Sequence, residues 1–89
     1  MDTRPKPIDY PTDYAFKVMG KRAPDFVELV KGLFLRVAGV ALAVDAITER
    51  ASAEGNYLSL TVSVRLETEA QRQGIYAELH REVRVLYYL

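Results

Sequence analysis

The sequence predicts one α+β domain of β-α-β-β-α-β order, a four-stranded antiparallel sheet with both helices on one face. Three observations predict it. Residues 13–19 alternate Tyr14, Phe16 and Val18 against Asp13, Ala15, Lys17 and Met19, the period of two of a half-buried strand. Residues 57–66 alternate more cleanly, with Leu58, Leu60, Val62, Val64 and Leu66 on one side and Tyr57, Ser59, Thr61, Ser63 and Arg65 on the other. Between and after these strands lie two stretches whose apolar residues fall at helical spacing.

Residues 1–11 hold three of the four prolines, Pro5, Pro7 and Pro11, so they read as a proline-rich tail, either lying along a domain that occupies 12–89 or a loose lead-in to it. Tyr10 is the residue that would anchor this tail by packing. After the first strand, Gly20-Lys21-Arg22-Ala23 turns the chain. Pro24 opens a helix, where its fixed φ helps and its missing donor costs nothing. Asp25 and Glu28 place negative charge against the positive end of the helix dipole. Phe26, Val27, Leu29, Val30, Leu33, Phe34 and Val37 form its apolar stripe, and Gly39 is a natural stop.

Residues 40–43 fit either a longer helix or a direct lead into the next strand. That strand, 44–51, is polar enough for a sheet edge. Glu54-Gly55-Asn56 has the chemistry of a turn with positive φ. A second helix spans about 68–81, with Glu67 or Glu69 near its start and Ile75, Tyr76 and Leu79 inward, and 83–89 closes the chain as a fourth strand. Right-handed crossovers then give the spatial order 4-1-3-2, a ferredoxin-like arrangement with one sheet face covered and the other bare.

Composition narrows the function classes. Twelve basic and twelve acidic side chains cancel, which disfavours a dedicated binder of nucleic-acid backbone. Cysteine is absent, which excludes disulfides and thiolate metal sites and agrees with a reducing, cytoplasmic setting. No apolar run approaches the roughly 20 residues of a membrane span, and Met1-Asp2-Thr3-Arg4-Pro5-Lys6-Pro7 lacks the pattern of a signal peptide.

Two segments, Tyr10 to Gly20 (above all Phe16-Lys17-Val18-Met19-Gly20) and Ser52 to Val62, resemble the signature of the bacterial YbeD-like family, in the right order around a helix of the right length. The resemblance covers almost the whole chain after the tail. It implies an ACT-like ferredoxin fold and a regulatory role that has been linked to lipoate metabolism. It implies no catalytic residues.

The residues themselves point away from catalysis. His80 is the only histidine, so no metal centre is expected, and no cofactor. It suits the last turn of the second helix, where a partly charged imidazole favours the dipole. Ser52, Ser59 and Ser63 would stand away from it, with the sheet between, so no nucleophile and base converge. A phosphate-cleaving loop on this fold would need a glycine-rich cradle with arginine. Gly20-Lys21-Arg22 has two of those ingredients without the loop.

Two candidate binding sites remain. Gly20, Lys21 and Arg22, before a helix N-terminus, would suit a carboxylate or phosphate, against the alternative of a solvated turn. The bare sheet face is expected to carry Lys17, Met19, Tyr57, Thr61, Arg65, Arg84, Leu86 and Tyr88, with Ala15, Ser59 and Ser63 between them. It would serve as a protein interface, as a single-stranded RNA platform stacking bases on Tyr57 and Tyr88, or as an ordinary solvated face. The reading is a non-enzymatic regulatory or interaction module that binds a small metabolite or a partner protein. Self-association through the apolar 85–89 edge is its favoured form, and single-stranded RNA binding is the alternative.

Overall fold

The computed structural model describes residues 8–89, so Pro5 and Pro7 of the expected tail lie outside the described residues. The elements are β1 (Thr12–Lys21), α1 (Phe26–Ala38), a single 3₁₀ turn (Val44–Ala46), β2 (Ile47–Ala51), β3 (Tyr57–Leu66), α2 (Glu69–Arg81) and β4 (Val85–Tyr88). The sheet runs β2-β3-β1-β4 with every neighbouring pair antiparallel, the order expected from the sequence.

The long central strands pair without a break from Thr12↔Leu66 to Lys21↔Tyr57. Phe16 and Val18 of β1 therefore share one face with Leu58, Leu60, Val62, Val64 and Leu66 of β3, and all seven are buried. Phe26, Val30, Leu33 and Phe34 of α1 and Ile75 and Leu79 of α2 close over them as one cluster. At its centre the Phe16 ring meets Tyr14, Phe34 and Tyr76 at centroid distances of 4.7, 5.3 and 5.0 Å. Aromatic packing of this kind adds about 0.5–1.5 kcal/mol per pair beyond the area buried.

Local chemistry sets the element ends. Gly39 adopts left-handed φ 69°, and the N–H groups of Gly39 and Val40 donate back to Leu35 and Phe34, which stops α1. Thr68 caps α2 by accepting from the Gln71 N–H, while the Gln71 side chain accepts from the Thr68 N–H, a reciprocal pair the sequence reading overlooked. Gly55 takes φ 74° in the β2–β3 turn.

Three boundaries differ from expectation. The Phe26 N–H donates to the Ala23 carbonyl, so Pro24 and Asp25 form a turn before α1 rather than its first residues. The 3₁₀ turn takes the first three residues of the expected second strand, leaving β2 to begin at Ile47. Gly20 and Lys21 continue β1 instead of turning the chain. Tyr10 packs against the core cluster and donates its hydroxyl to Glu69 of α2, anchoring the residues before β1.

Candidate functional site

The register of the central strands decides the open face. Asp13↔Arg65, Ala15↔Ser63, Lys17↔Thr61, Met19↔Ser59 and Lys21↔Tyr57 all point away from the helices, and β2 adds Thr48 beside Thr61 and Arg50 beside Ser59. Lys17, Met19, Tyr57, Thr61 and Arg65 therefore stand where the alternation placed them. Met19 is 37% and Tyr57 45% exposed, large apolar groups on a face otherwise lined by hydroxyls and cations.

The fourth strand departs from simple alternation. Tyr88 pairs with Val18 and Tyr87 with Met19, but Val85, not Leu86, pairs with Gly20. This register shift is a β-bulge, one extra residue that resets which side chains face which way. Val85 and Tyr88 consequently pack against the core, while Leu86 and Tyr87 are 59% and 56% exposed. Tyr88, expected on the open face, instead stands on the helix side, its ring 5.9 Å from Tyr76 and its hydroxyl 3.1 Å from Nδ1 of His80. Tyr87 takes its place beside Met19.

Arg84 is the second correction. Lying before β4, it turns toward the start of α1, where its guanidinium donates to both carboxylate oxygens of Asp25 at 3.0 and 2.7 Å. The arginine hydrogen bonds hold the Asp25 carboxyl below its ordinary pKa, and Asp25 raises that of Arg84 in return.

The same geometry changes the meaning of Gly20-Lys21-Arg22. A Cβ on Gly20 would lie 2.4 Å from the Phe26 ring and 2.6 Å from the Arg84 carbonyl oxygen. The glycine thus admits α1 and the β4 bulge, not a ligand. Lys21 points to the open face opposite Tyr57, and the Arg22 guanidinium reaches the β2–β3 turn, 3.2 Å from where a Cβ on Gly55 would stand. The carboxylate of Asp25 already sits at the α1 N-terminus. Lys21 and Arg22 line one shallow groove of about 310 Å³ with Arg84 and Leu86, while Gly20 packs against Phe26.

The strongest electrostatic cluster lies elsewhere, on α2. Glu69 accepts from Nε and Nη2 of Arg72 at 3.0 and 2.6 Å, from Gln73 and from Tyr10. The Arg72 guanidinium lies over the Tyr14 and Tyr76 rings, whose hydroxyls are 2.8 Å apart. Burial, then the Tyr14 hydroxyl, raises the Tyr76 phenol above its ordinary pKa, so it stays neutral.

The Arg72 hydrogen bonds, seconded by Tyr10, lower the Glu69 pKa from 4.5 to about 2. A depressed folded-state pKa stabilises the fold above the unfolded value, and that gain is lost as pH falls through the folded one. Urea unfolding across pH should therefore show a Glu69-dependent loss of stability between pH 4.5 and about 2. Glu69→Gln, which cannot titrate there, is expected to flatten that slope. Equal slopes in both proteins would remove Glu69 from the acid response.

Among the described residues no group of three or more His, Asp or Glu side chains is placed to hold a metal ion, and no helix is long and apolar enough to cross a membrane. The sequence reading missed Lys21, Thr48, Arg50, Tyr87 and Leu89 as open-face residues. Alternation along β2 would have found Arg50. No local signal marks the bulge that exposes Tyr87.

Comparison with known proteins agrees with this architecture. Residues 5–89 match a family described as "Protein of unknown function (DUF493)". The chain is 39% identical over 72 residues to a UPF0250 protein of Leptothrix cholodnii, covering 81% of this chain and 78% of that one. It is 37% identical over 82 residues to a UPF0250 protein of Janthinobacterium sp., covering 92% and 89%. The solution structure of protein HP0495 from H. pylori superposes with a TM-score of 0.77 at 18% identity, covering 99% of this chain and 91% of that one, which speaks to the fold alone. The chain therefore belongs to the DUF493, or UPF0250, family of unknown function, the YbeD-like group that its first strand and central hairpin resemble.

Proposed function

We propose that this chain is a non-catalytic regulatory and interaction module that works by protein–protein pairing, with a second copy of itself as the partner and the free edge of β4 as the contact. One observation carries the reading. The strand Val85-Leu86-Tyr87-Tyr88 forms a sheet edge without a single charge, and its bulge turns Leu86 and Tyr87 to solvent beside Met19 and Leu89. Natural edges are normally blunted by charge or proline. The opposite edge, β2, is blunted in that way, with Glu49 and Arg50 at its middle.

Backbone chemistry supports the same contact. Lys17 and Leu89 exchange both of their hydrogen bonds, at 2.9 and 2.8 Å, so the alternation of an antiparallel ladder turns the N–H and C=O of Tyr88 outward. An isologous β4–β4 contact would satisfy these groups and bury the apolar patch of each copy on the other.

The serine–histidine alternative finds no support in where these residues stand. The Ser52 hydroxyl accepts from the Tyr57 N–H, and His80 is engaged with Tyr88 on the helix side, across the sheet from Ser59 and Ser63. The metabolite reading keeps a groove lined by Lys21, Arg22 and Arg84, but Gly20 packs against Phe26 instead of opening its backbone to a ligand. The RNA platform exchanges Tyr88 for Tyr87, whose ring stands on the edge strand and not on the central pair.

Leu86→Lys combined with Tyr87→Lys replaces two exposed side chains and is expected to leave the circular dichroism spectrum unchanged. Analytical ultracentrifugation should then give a dimer for the parent chain and a monomer for the variant. A parent chain that stays monomeric as its concentration is raised, or a variant of unchanged mass, removes β4 as the contact.

A further inference from the structure

The chain is neutral, yet its charge is not evenly spread. The strand side chains of the open face include the cations Lys17, Lys21, Arg50 and Arg65 and a single carboxylate, Asp13, which pairs with Arg65 at 3.2 Å. Lys17, Lys21 and Arg50 make no ion pair among the described residues. On the helix side, by contrast, the acids have cations of their own: Asp25 pairs with Arg84, Glu28 with Lys31, Glu69 with Arg72, and Glu78 with Arg36 and Arg81. The strand side chains of the open face therefore carry an excess of cations.

The cations also border apolar surface. Lys17 and Arg50 line one shallow groove of about 330 Å³ together with Met19, Tyr57 and Ser59. Across the sheet in register, the row through Met19 runs Tyr87, Met19, Ser59, Arg50, and the next runs Leu89, Lys17, Thr61, Thr48. Apolar side chains thus lie at one side of the face, cations through its middle and far side, and hydroxyls between them.

The geometry points to the open face as a docking surface for an acidic, extended protein segment that carries aliphatic or aromatic side chains between its carboxylates. Charge complementarity selects the carboxylates, since Lys17, Lys21 and Arg50 face a region where Asp13 is the only strand carboxylate. Met19, Tyr57 and Tyr87 select the apolar side chains, as exposed Met and Tyr commonly do at interfaces. Serine and threonine hydroxyls would satisfy backbone groups of the bound segment.

A single-stranded nucleic acid would meet the same cations, but the two central strands present Ala15, Lys17, Met19, Ser59, Thr61 and Ser63 at mid-face. The open-face rings, Tyr57 at the end of β3 and Tyr87 on the edge strand, stand to either side of this centre and leave it without a ring for a base to stack on. The docking surface shares Met19 and Tyr87 with the patch at the β4 edge, but its groove of Lys17, Arg50, Tyr57 and Ser59 lies over the other three strands and does not depend on self-association.

Fluorescence anisotropy of a short labelled peptide alternating glutamate with leucine and serine tests this. The intact chain should bind it, less tightly as salt shortens the screening length. Lys17→Glu combined with Arg50→Glu should weaken binding by about tenfold or more, the size expected when two interfacial attractions become repulsions. Lys31→Glu combined with Arg36→Glu, on α1 behind the sheet, should leave it unchanged. Unchanged circular dichroism in both variants separates lost docking from lost fold. The proposal is overturned if a glutamine-for-glutamate peptide binds equally well, if the α1 variant weakens binding as much as the open-face variant, or if a uridine oligonucleotide of matched charge binds more tightly. Dimerisation is read separately by sedimentation, so failure of one reading leaves the other standing.

Discussion

Gly20→Ala should unfold at a markedly lower temperature than the parent chain. The new methyl would stand 2.4 Å from Cε1 of Phe26 and 2.6 Å from the carbonyl oxygen of Arg84. The ring belongs to a fully buried side chain at the start of α1, and the carbonyl is backbone leading into β4, so neither neighbour yields cheaply. Overpacking of a filled site costs about 1–3 kcal/mol, occasionally more. With backbone on one side, a cost of about 3 kcal/mol is expected, or roughly 12–24 °C in Tm for a domain of this size.

The substitution also bears on function, because Gly20 stands at the register shift that exposes Leu86 and Tyr87. Thermal and urea unfolding give the measurement. A loss below about 1 kcal/mol would mean that β4 and α1 do not close on Gly20. The patch assigned to the β4 edge would then have to be redrawn.

Phe16→Ala is expected to be the most damaging single change in the core. Phe16 is fully buried, and its ring touches the rings of Tyr14, Phe34 and Tyr76, joining β1 to both helices. Truncating such a phenylalanine removes its transfer free energy and leaves a cavity, together about 3–5 kcal/mol. At about 0.05–0.15 kcal/mol per residue, a domain of this length has roughly 4–13 kcal/mol to lose. The variant should therefore be partly unfolded at 37 °C or melt far below the parent. Phe16→Leu, which keeps most of the volume, should lose clearly less. If the two variants melt together, the ring contacts contribute little beyond bulk, and the core is less tightly interlocked than its distances imply.

Much of the fold was legible because its signals are local. Alternation along 13–19 and 57–66 placed Phe16, Val18, Leu60 and Val62 inward and Lys17, Met19, Thr61 and Arg65 outward, and the register bears out each of these. Gly39 marked the end of α1 for the same reason, since its left-handed φ excludes most other residues. The capping pair Thr68 and Gln71 was equally local and was there to be read.

The misplaced residues share a different cause. Tyr88 and Arg84 were assigned to the open face by extending alternation through 83–89, but a bulge arises where one strand meets another and leaves no period in the sequence. In the sequence Gly20 reads as a turn because glycine often makes one. Its reason here is the approach of Phe26 and the Arg84 carbonyl, both supplied by segments distant along the chain or across the turn.

The residue order alone determined a layered α+β domain, its element sequence, most of its core and the outward set on its two central strands, because hydrophobic periodicity acts within a few residues. Tertiary structure alone decided which side chains of the last strand meet solvent. It also decided that Lys17, Lys21, Arg50 and Arg65 gather on one sheet face with Asp13 as the only strand carboxylate, although the chain's charges cancel in the sum. Both outcomes depend on strand register, and register is fixed only when distant segments pack against each other.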